Sequence, residues 1–522
     1  MDIHKIKLLF NTLRHLKPIQ FYYRVYYFFK KFFIYNYKKP LKKKISFLKW
    51  YYNINSPKSL KNNNFRFLNI NNNFDLEIDW NFDLYGKLWT YNLNYFDFLN
   101  QKVILKERGL ELIHDYINKD NLLKDGKEPY PISLRGVNWI KFLSKNKINN
   151  KKINQTLFDH YQILYNNIEY HLLGNHILEN AFSLFFASYF FNDRNFLLKS
   201  NKILKEELNE QINDDGSHFE LSTMYHKIIL HRVLDCIQLI KNNNFHLVLL
   251  GFLEKKAILM LSFLETIMFK DYTLPKLNDS CEGIAPNVKE LFSLAKNLNL
   301  NWNKIQLSDS GYRKWNIDNF EIIMDIGSIG AKYISGHSHA DTFNFVLNHR
   351  SMPLVVDLGV STYEKCLIRD QERSTRFHNT LSIDVFNSSE IWSAFRVGNR
   401  AKVNSIYDSS NKIKFVHDGY KKTGFVHTRE FQKSNNLFTI TDYAENKSNY
   451  SLESNLHFHP DSNPIINNCE ILLKDVKIKL IGYENPKLIE YNYPLGFNKY
   501  KKAFKLNSIV KNKSSIIFSE IK

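Results

Sequence analysis

The stretch GHSHADTFNFVLN (336–348) places two histidines and an aspartate directly before an alternating apolar run. Alternate side chains of an extended chain share a face, so His337, His339 and Asp341 are predicted to project the same way. A buried strand does not carry that much polarity on one side without a use for it. The alternative interpretation is a solvated edge strand, and this stretch alone does not choose between the two.

A second set of polar residues could bind a metal. His339 is followed by Asp357 in VVDLG and by His378 in ERSTRFHNT. Two imidazoles and one carboxylate are a ligand set that a divalent metal ion can use. The three residues lie on separate predicted strands, so their sequence spacing cannot confirm such a site.

The helical part of the sequence offers candidates for proton transfer. GNHILEN supplies Asn175 and His176 at a predicted helix start, and STMYH places Tyr225 in the first turn if Ser222 is the N-cap. The positive end of the helix dipole there favours a phenolate, so Tyr225 is predicted to be able to transfer a proton. The alternative is a half-buried tyrosine whose hydroxyl bonds to a backbone acceptor.

The hydrophobic periodicity divides the chain into two regions with different patterns. From about residue 85 to 312 the pattern is helical, and after about residue 315 short alternating runs are separated by turn residues. We therefore predict a helical half (76–314) followed by an antiparallel β-sandwich (315–522), an α+β multidomain chain.

Composition narrows the class of protein. A chain of 522 residues with 44% hydrophobic residues can build more than one packed core. The net charge of +20 favours a polyanionic partner such as nucleic acid, anionic lipid or acidic polysaccharide, although codon bias towards Lys, Asn and Ile explains it equally well. The four scattered cysteines predict neither a disulfide framework nor a thiolate zinc site.

Residues 1–75 form a basic, aromatic-rich N-terminal segment. Its first 50 residues contain 13 lysines and arginines against one acid, Asp2, and include the run FYYRVYYFFKKFFIY. We expect this segment to pack on the main body, with a peripheral membrane contact through the basic N-terminus as the alternative. The sequence shows no signal peptide and no apolar run long enough to span a bilayer, so the cytoplasm is the default expectation.

Nine blocks, in order, resemble the heparinase II/III-like family of polysaccharide lyases. They are YNLNYFDFL (91–99), PYPISLRGVNWI (129–140), GNHILEN (174–180), DGSHFELSTMYH (215–226), LPKLNDSCEGIAP (274–286), GHSHADTFNFVL (336–347), VVDLGVSTY (355–363), RSTRFHNTLSID (373–384) and IWSAFRVGNRAKV (391–403). The resemblance implies an incomplete (α/α) toroid followed by a β-sandwich. It also implies β-elimination at a uronic acid of an anionic glycan, in which the C5 proton is removed and the C4 oxygen leaves.

The resemblance also implies roles for the site residues. Asn175, assisted by His176, would neutralise the substrate carboxylate, Tyr225 would act as general acid and also as a base, and His337 would be a second base or an orienting group. Asp341 would be a local hydrogen-bond partner. Substrate anions would be gripped by Arg135, Asn138, Arg373 and Arg396, although each arginine could equally form a structural salt bridge. A structural zinc ion would be held by His339, Asp357 and His378.

Three other functions stay open at this point. A uronate C5-epimerase shares the proton abstraction, and a noncatalytic glycan-binding protein could use the same cleft. Nucleic-acid binding could use the positive charge, but no recognised module for it occurs, so no nucleic-acid partner is expected. The motifs resemble most those of family members associated with cell-surface polysaccharide synthesis. This resemblance makes the periplasm or cell envelope the alternative location.

Overall fold

The computed structural model describes residues 3–33, 37, 39–434, 436–446 and 449–521, apart from the side chains of residues 4 and 446. Part of the basic aromatic segment, residues 1, 2, 34–36 and 38, therefore lies outside the described residues. The domain boundaries after residues 75 and 314 stay predictions.

The N-terminal segment consists of two helices, an extended stretch and a small antiparallel sheet. Its elements are Ile3–Leu13 (α1), Pro18–Lys30 (α2), Leu60–Lys61 (β1), Asn64–Phe67 (β2) and Ile70–Asn73 (β3). From α2, the Tyr27 hydroxyl donates to the Ile168 carbonyl oxygen at 2.6 Å, and the Gln20 amide donates to the Leu172 carbonyl oxygen at 3.1 Å. The segment thus packs on the helical part of the chain.

Helices make up the next part of the chain. They are Lys87–Tyr95 (α3), Lys106–Asn118 (α4), Pro129–Lys145 (α5), Lys151–Asn166 (α6), Gly174–Phe190 (α7), Arg194–Gln211 (α8), Thr223–Asn243 (α9), Leu250–Ile267 (α10) and Val288–Asn297 (α11). Helix α7 is apolar on nearly every side because it packs between α5, α8 and α9. The Ser222 side chain accepts a hydrogen bond from the Tyr225 backbone N–H at 3.2 Å, which confirms the predicted cap of α9. No helix among the described residues is both long and apolar enough to cross a membrane.

The last part of the chain is built almost entirely from antiparallel strands. They are Tyr312–Ile317 (β4), Phe320–Asp325 (β5), Phe345–His349 (β6), Met352–Val355 (β7), Leu381–Ile383 (β8), Ile391–Trp392 (β9), Arg396–Val397 (β10), Val403–Asp408 (β11), Lys412–His417 (β12), Phe425–Ser434 (β13), Leu437–Asn446 (β14), Leu452–His457 (β15), Ile465–Asn467 (β16), Glu470–Leu473 (β17), Val476–Gly496 (β18) and Lys499–Glu520 (β19), with one short helix, Leu367–Arg373 (α12).

Two sheets pack face to face in this part. Strands β4 to β7 form one sheet in sequence order, and the larger sheet has the order β11-β12-β13-β14-β19-β18-β17-β16, with β15 joining β19 to β8. Phe345 of the smaller sheet contacts Phe438 and Phe518 of the larger one, with ring centroids 6.4 and 6.0 Å apart. The side chains between the sheets form one apolar core.

A separate apolar cluster joins the helical part to the smaller sheet. Phe263 of α10 packs with Tyr312, Ile323 and Val346 of that sheet. Side chains from the two parts therefore meet along a fixed boundary, and the cleft described next lies there.

Candidate active site in the cleft between the helical and β parts

A cavity of about 1080 Å³ opens where the helices meet the sheets. All four residues predicted to be catalytic, Asn175, His176, Tyr225 and His337, line it. Asn175 Nδ2 lies 3.5 Å from His337 Nε2, and the rings of Tyr225 and His337 have centroids 4.1 Å apart. The fold thus brings together side chains from α7, from α9 and from the turn before β6.

A buried carboxylate fixes the position of Asn175. The Asn175 backbone N–H donates to Glu220 Oε1 and its Nδ2 donates to Glu220 Oε2, both at 3.0 Å. The preceding Gly174 has a φ of +59°, and a Cβ there would lie only 2.4 Å from Glu220 Oε1. Glycine is therefore needed both for the backbone conformation and for the close approach of this carboxylate.

His337 is oriented by Asp279, whose side chain is fully buried. Asp279 accepts hydrogen bonds from His337 Nδ1 at 2.8 Å, from His339 Nε2 at 2.9 Å and from Arg369 Nη2 at 2.8 Å. Burial alone would raise the pKa of Asp279, but Arg369 and the two histidines outweigh it and hold the pKa well below its usual value. An anionic carboxylate can only accept, so we assign the proton of neutral His337 to Nδ1, which leaves the Nε2 lone pair free beside Asn175.

The extended conformation assumed for residues 337–341 is not found. Residues 336–344 form turns, and β6 begins only at Phe345. His337 and His339 do share a direction, because both bind the Asp279 carboxylate and not because they alternate on a strand. The Oδ2 atom of Asp341 is buried and has no hydrogen-bond partner among the described residues, and the expected role of Asp341 as a local hydrogen-bond partner stays a prediction.

Tyr225 lies in the first turn of α9, as predicted, but its pKa shifts in the opposite direction to the one expected. Burial is the largest influence and raises the pKa of the Tyr225 phenol, although the hydrogen bond to the Tyr363 hydroxyl at 3.1 Å opposes it. The packing around the ring therefore outweighs the helix dipole. Tyr225 is a protonated donor at neutral pH and not a phenolate.

His176 stands beside Asn175 in a different electrostatic state. Its Nδ1 lies 3.1 Å from Glu169 Oε1, and its ring packs against Tyr130 with centroids 4.5 Å apart. Burial lowers the pKa of His176, but Glu169 outweighs that effect and the net shift is upward. The arrangement favours an imidazolium in the cavity wall, which suits an anionic ligand.

Two of the four predicted substrate-binding residues line the cavity. Asn138 does so, with its Nδ2 donating to the Tyr95 carbonyl oxygen at 2.9 Å and to Asp97. Arg396 is exposed, and its guanidinium carbon lies 4.6 Å from the centroid of the Trp392 ring. Arg396 is therefore the better placed of the two to reach a ligand.

The other two predicted substrate-binding residues, Arg135 and Arg373, do not line the cavity, and each leaves only 1% of its surface exposed. Arg135 donates to the Asn94 carbonyl oxygen inside the helical part. Arg373 donates to the Ser338 carbonyl oxygen at 3.0 and 3.1 Å, and burial lowers its pKa to about 9. The prediction that Arg135 and Arg373 bind substrate anions is therefore corrected: both are buried away from the cavity and act as structural residues. Arg373 supports the turn between His337 and His339.

The three residues predicted to bind zinc are buried side by side. The His339 and His378 rings have centroids 5.3 Å apart, and His378 Nδ1 lies 2.7 Å from Asp357 Oδ2. His339 Nδ1 and His378 Nε2 have no hydrogen-bond partner among the described residues, as expected of nitrogens available to a metal ion. Asp357, however, is already engaged by His378. Within the described parts of the chain no group of three or more His, Cys, Asp or Glu side chains is arranged to hold a metal ion.

Sequence reasoning missed several residues of this site. Asp279, Glu220 and Tyr363 stood inside the quoted blocks, but nothing in their spacing showed which histidine, asparagine or tyrosine they would contact. Arg24 of α2 also lines the cavity, as do Leu13 and other residues of the two N-terminal helices. The one available signal for Asp279 and Glu220 was that each is an acidic residue inside one of the quoted blocks.

Comparisons with known proteins agree with this architecture. A heparinase III structure has a TM-score of 0.65 at 15% identity, with 86% of this chain and 80% of that chain covered. A second heparinase III has a TM-score of 0.60 at 18% identity, covering 86% and 82%. A heparan sulfate lyase from Pedobacter heparinus has a TM-score of 0.59 at 17% identity, covering 88% and 81%. The predicted fold class, a helical toroid followed by a β-sandwich, is confirmed.

Two sequence profiles place the chain within a family. Residues 134–302 match the heparinase II/III N-terminus, and residues 299–483 match the heparinase II/III-like C-terminal region. Comparison with curated protein sequences gives no significant match. The chain belongs to the heparinase II/III-like family, a family of polysaccharide lyases.

Proposed function

We propose that this protein cleaves uronic-acid-containing anionic glycans by β-elimination, in the metabolism of cell-surface polysaccharide. The observation that carries the proposal is the meeting of Asn175, Tyr225 and His337 in one cavity between the two parts of the chain. These residues supply a hydrogen-bond donor, a protonated acid and an imidazole lone pair within a few ångströms of one another.

The first requirement of the reaction is to offset the charge of the substrate carboxylate. Loss of the C5 proton places negative charge next to that group, so the carboxylate must be hydrogen-bonded or neutralised. Asn175 offers its amide, already held by Glu220, and His176 offers positive charge supported by Glu169.

The second requirement is a proton acceptor and a proton donor. His337 Nε2 takes the C5 proton, because Asp279 keeps the other ring proton on Nδ1. Tyr225 gives its proton to the departing C4 oxygen, because burial keeps its phenol protonated. Between turnovers His337 releases its proton to solvent, and Tyr363, 3.1 Å from the Tyr225 hydroxyl, is placed to relay a proton from solvent to Tyr225.

The placement of the acid and the base favours elimination over C5-epimerisation. Elimination needs the acid near the C4 oxygen and the base near the adjacent C5 carbon. The neighbouring rings of Tyr225 and His337 can reach these two positions. Epimerisation needs a second donor across the sugar ring, to return the proton to the opposite face.

Ultraviolet absorbance of the unsaturated uronate product tests the proposal. Wild-type protein, Tyr225→Phe, His337→Ala and the control Tyr407→Phe, an exposed tyrosine on β11, are incubated with heparan, chondroitin, alginate and bacterial capsular polymers. We expect absorbance to grow with one polymer class and to fall by about 10²–10⁴-fold in the two site variants only. Solvent deuterium entering C5 without cleavage would favour the epimerase, and binding with neither reaction would leave a noncatalytic glycan-binding protein.

Zinc stays a prediction with its own test. His339 and His378 each offer a free ring nitrogen, and Asp357 would complete the set only if its bond to His378 is rearranged. Bound zinc would order the turn that carries His337 and take no part in the proton transfers. Two measurements show whether zinc is bound: the metal content of the purified protein, and its thermal stability with and without chelator. Both are made for wild type and for His378→Asn. The cell compartment, cytoplasm or envelope, also stays a prediction.

A further inference from the structure

The two N-terminal helices turn their apolar side chains towards solvent. On α1 these exposed residues are Ile3, Ile6 and Phe10. On α2 and just beyond its end they are Phe21, Tyr22, Val25, Phe28, Phe29 and Phe32, with exposed fractions from 42% at Phe21 to 72% at Phe32. Positions 21, 25, 28 and 32 repeat at the spacing of one helix face, so the exposed residues of α2 and just beyond its end form a stripe. This stripe and the exposed apolar residues of α1 are together called here the outer face.

The opposite side of the same helices is attached to the protein. Tyr23 stacks on Tyr170 with ring centroids 4.6 Å apart, and the Gln20 and Tyr27 hydrogen bonds hold α2 along its length. On α1, the Asn11 amide donates to Glu390 at 3.0 Å. A surface helix normally buries its apolar side and exposes its polar side. Here apolar residues lie on both sides of the helices, because Tyr23 and Tyr27 pack on the protein while the residues of the outer face are exposed. The exposed apolar side indicates that something covers the outer face.

The charge around the outer face indicates what covers it. No aspartate or glutamate occurs from residue 3 to residue 74. Exposed lysines occur along the same segment: Lys5 and Lys7 on α1, Lys31 directly after α2, and Lys39, Lys42, Lys43 and Lys44 further on. A glycan or a single-stranded nucleic acid could use the charge and stack on the aromatic rings, but neither uses the exposed aliphatic side chains Ile3, Ile6 and Val25. An apolar protein surface would not need so many exposed lysines. An anionic lipid surface uses both the apolar side chains and the lysines.

We propose that α1 and α2 dock the protein on an anionic lipid bilayer surface through the outer face. Because α2 is bound along its length to the helical part, it meets the bilayer lying in the plane of the interface. The inner side of the same helices, including Leu13 and Arg24, lines the cavity, so docking holds the cleft beside the membrane. The proposal does not depend on which reaction the cleft performs.

Co-sedimentation of the full chain with lipid vesicles tests the docking. We expect at least about tenfold stronger binding to phosphatidylcholine vesicles with about one third phosphatidylserine than to phosphatidylcholine alone, and weaker binding as salt is raised. The double variant Phe28→Ser with Phe32→Ser lowers binding by about tenfold or more. Phe504→Ser, which removes an exposed phenylalanine of the β part, leaves it unchanged. Phe21→Ser with Val25→Ser repeats the loss with a different pair, and matching thermal unfolding shows that the variants are folded.

Three outcomes overturn the proposal. The first is wild-type protein that stays in solution with the anionic vesicles. The second is equal binding by wild type and both outer-face variants. The third is an oligomer in light scattering that either variant turns into a monomer, since the face would then be a contact between copies of this chain.

Discussion

Removing the Asp279 carboxylate is expected to destabilise the protein more than an ordinary substitution does. Asp279 and Arg369 are fully buried, and Arg369 Nη1 and Nη2 lie 2.5 and 2.8 Å from the two carboxylate oxygens. Asp279→Ala leaves the guanidinium with only the Ala394 carbonyl oxygen and takes the acceptor from His337 and His339. Leaving one partner of a buried ion pair costs about 3–5 kcal/mol, so the free energy of unfolding should fall by that amount.

A double variant separates the charge effect from lost packing. Asp279→Ala with Arg369→Met leaves no unpaired charge, and we expect it to recover at least about 2 kcal/mol relative to Asp279→Ala alone. Urea unfolding followed by circular dichroism measures all the variants, with Asp461→Ala, in an exposed pair with Lys501, as the control that should hardly change. A loss below about 1 kcal/mol for Asp279→Ala, or no recovery in the double variant, would refute the reasoning.

Three further predictions concern the supports of the site. Gly174→Ala should lower the stability by about 1–3 kcal/mol in thermal unfolding, because the backbone there has positive φ and the new Cβ would collide with Glu220. Glu169→Gln removes the carboxylate that raises the pKa of His176; such a pair stabilises the fold fully below about pH 6.5 and progressively less as the pH rises through the raised value. Because the same pair lowers the pKa of Glu169, its stabilisation is also lost as the pH falls below about 4.5. The deficit of Glu169→Gln in unfolding experiments should therefore be largest between about pH 4.5 and pH 6.5 and shrink at alkaline pH. Ser222→Ala removes the cap of α9 and should cost about 1 kcal/mol in urea unfolding.

The sequence predicted the parts of the fold that depend on local pattern. The change from helical to alternating periodicity gave a helical half followed by a sandwich, and Ser222 was predictable as a cap because the cap bond joins residues three apart. The extended conformation assumed for residues 337–341 was wrong, because the turns there are accompanied by tertiary contacts from His337 and His339 to Asp279. Local periodicity carries no information about such contacts.

The roles of individual charged residues depended on burial, which one sequence does not reveal. Arg135 and Arg373 looked like Arg396 as candidates for binding an anion, yet only Arg396 reaches the cavity. The helix dipole at Tyr225 was a sound local argument, but burial of the ring, to which Tyr363 from the β part contributes by packing against it, raises the pKa. The pairing of Asp279 with Arg369 joins residues 90 apart and has no local signal.

Two carboxylates behind the cleft give two of its histidines, His337 and His176, different tasks. Asp279, held anionic by Arg369, accepts the Nδ1 proton of His337, so the nitrogen that faces the cavity is a proton acceptor. Glu169 instead raises the pKa of His176, so that ring favours carrying charge. A proton-abstracting group and a cation are both needed beside a uronate carboxylate, and one residue type cannot supply both from identical surroundings. The division between acceptor and cation therefore depends on the two buried acids as much as on the histidines themselves.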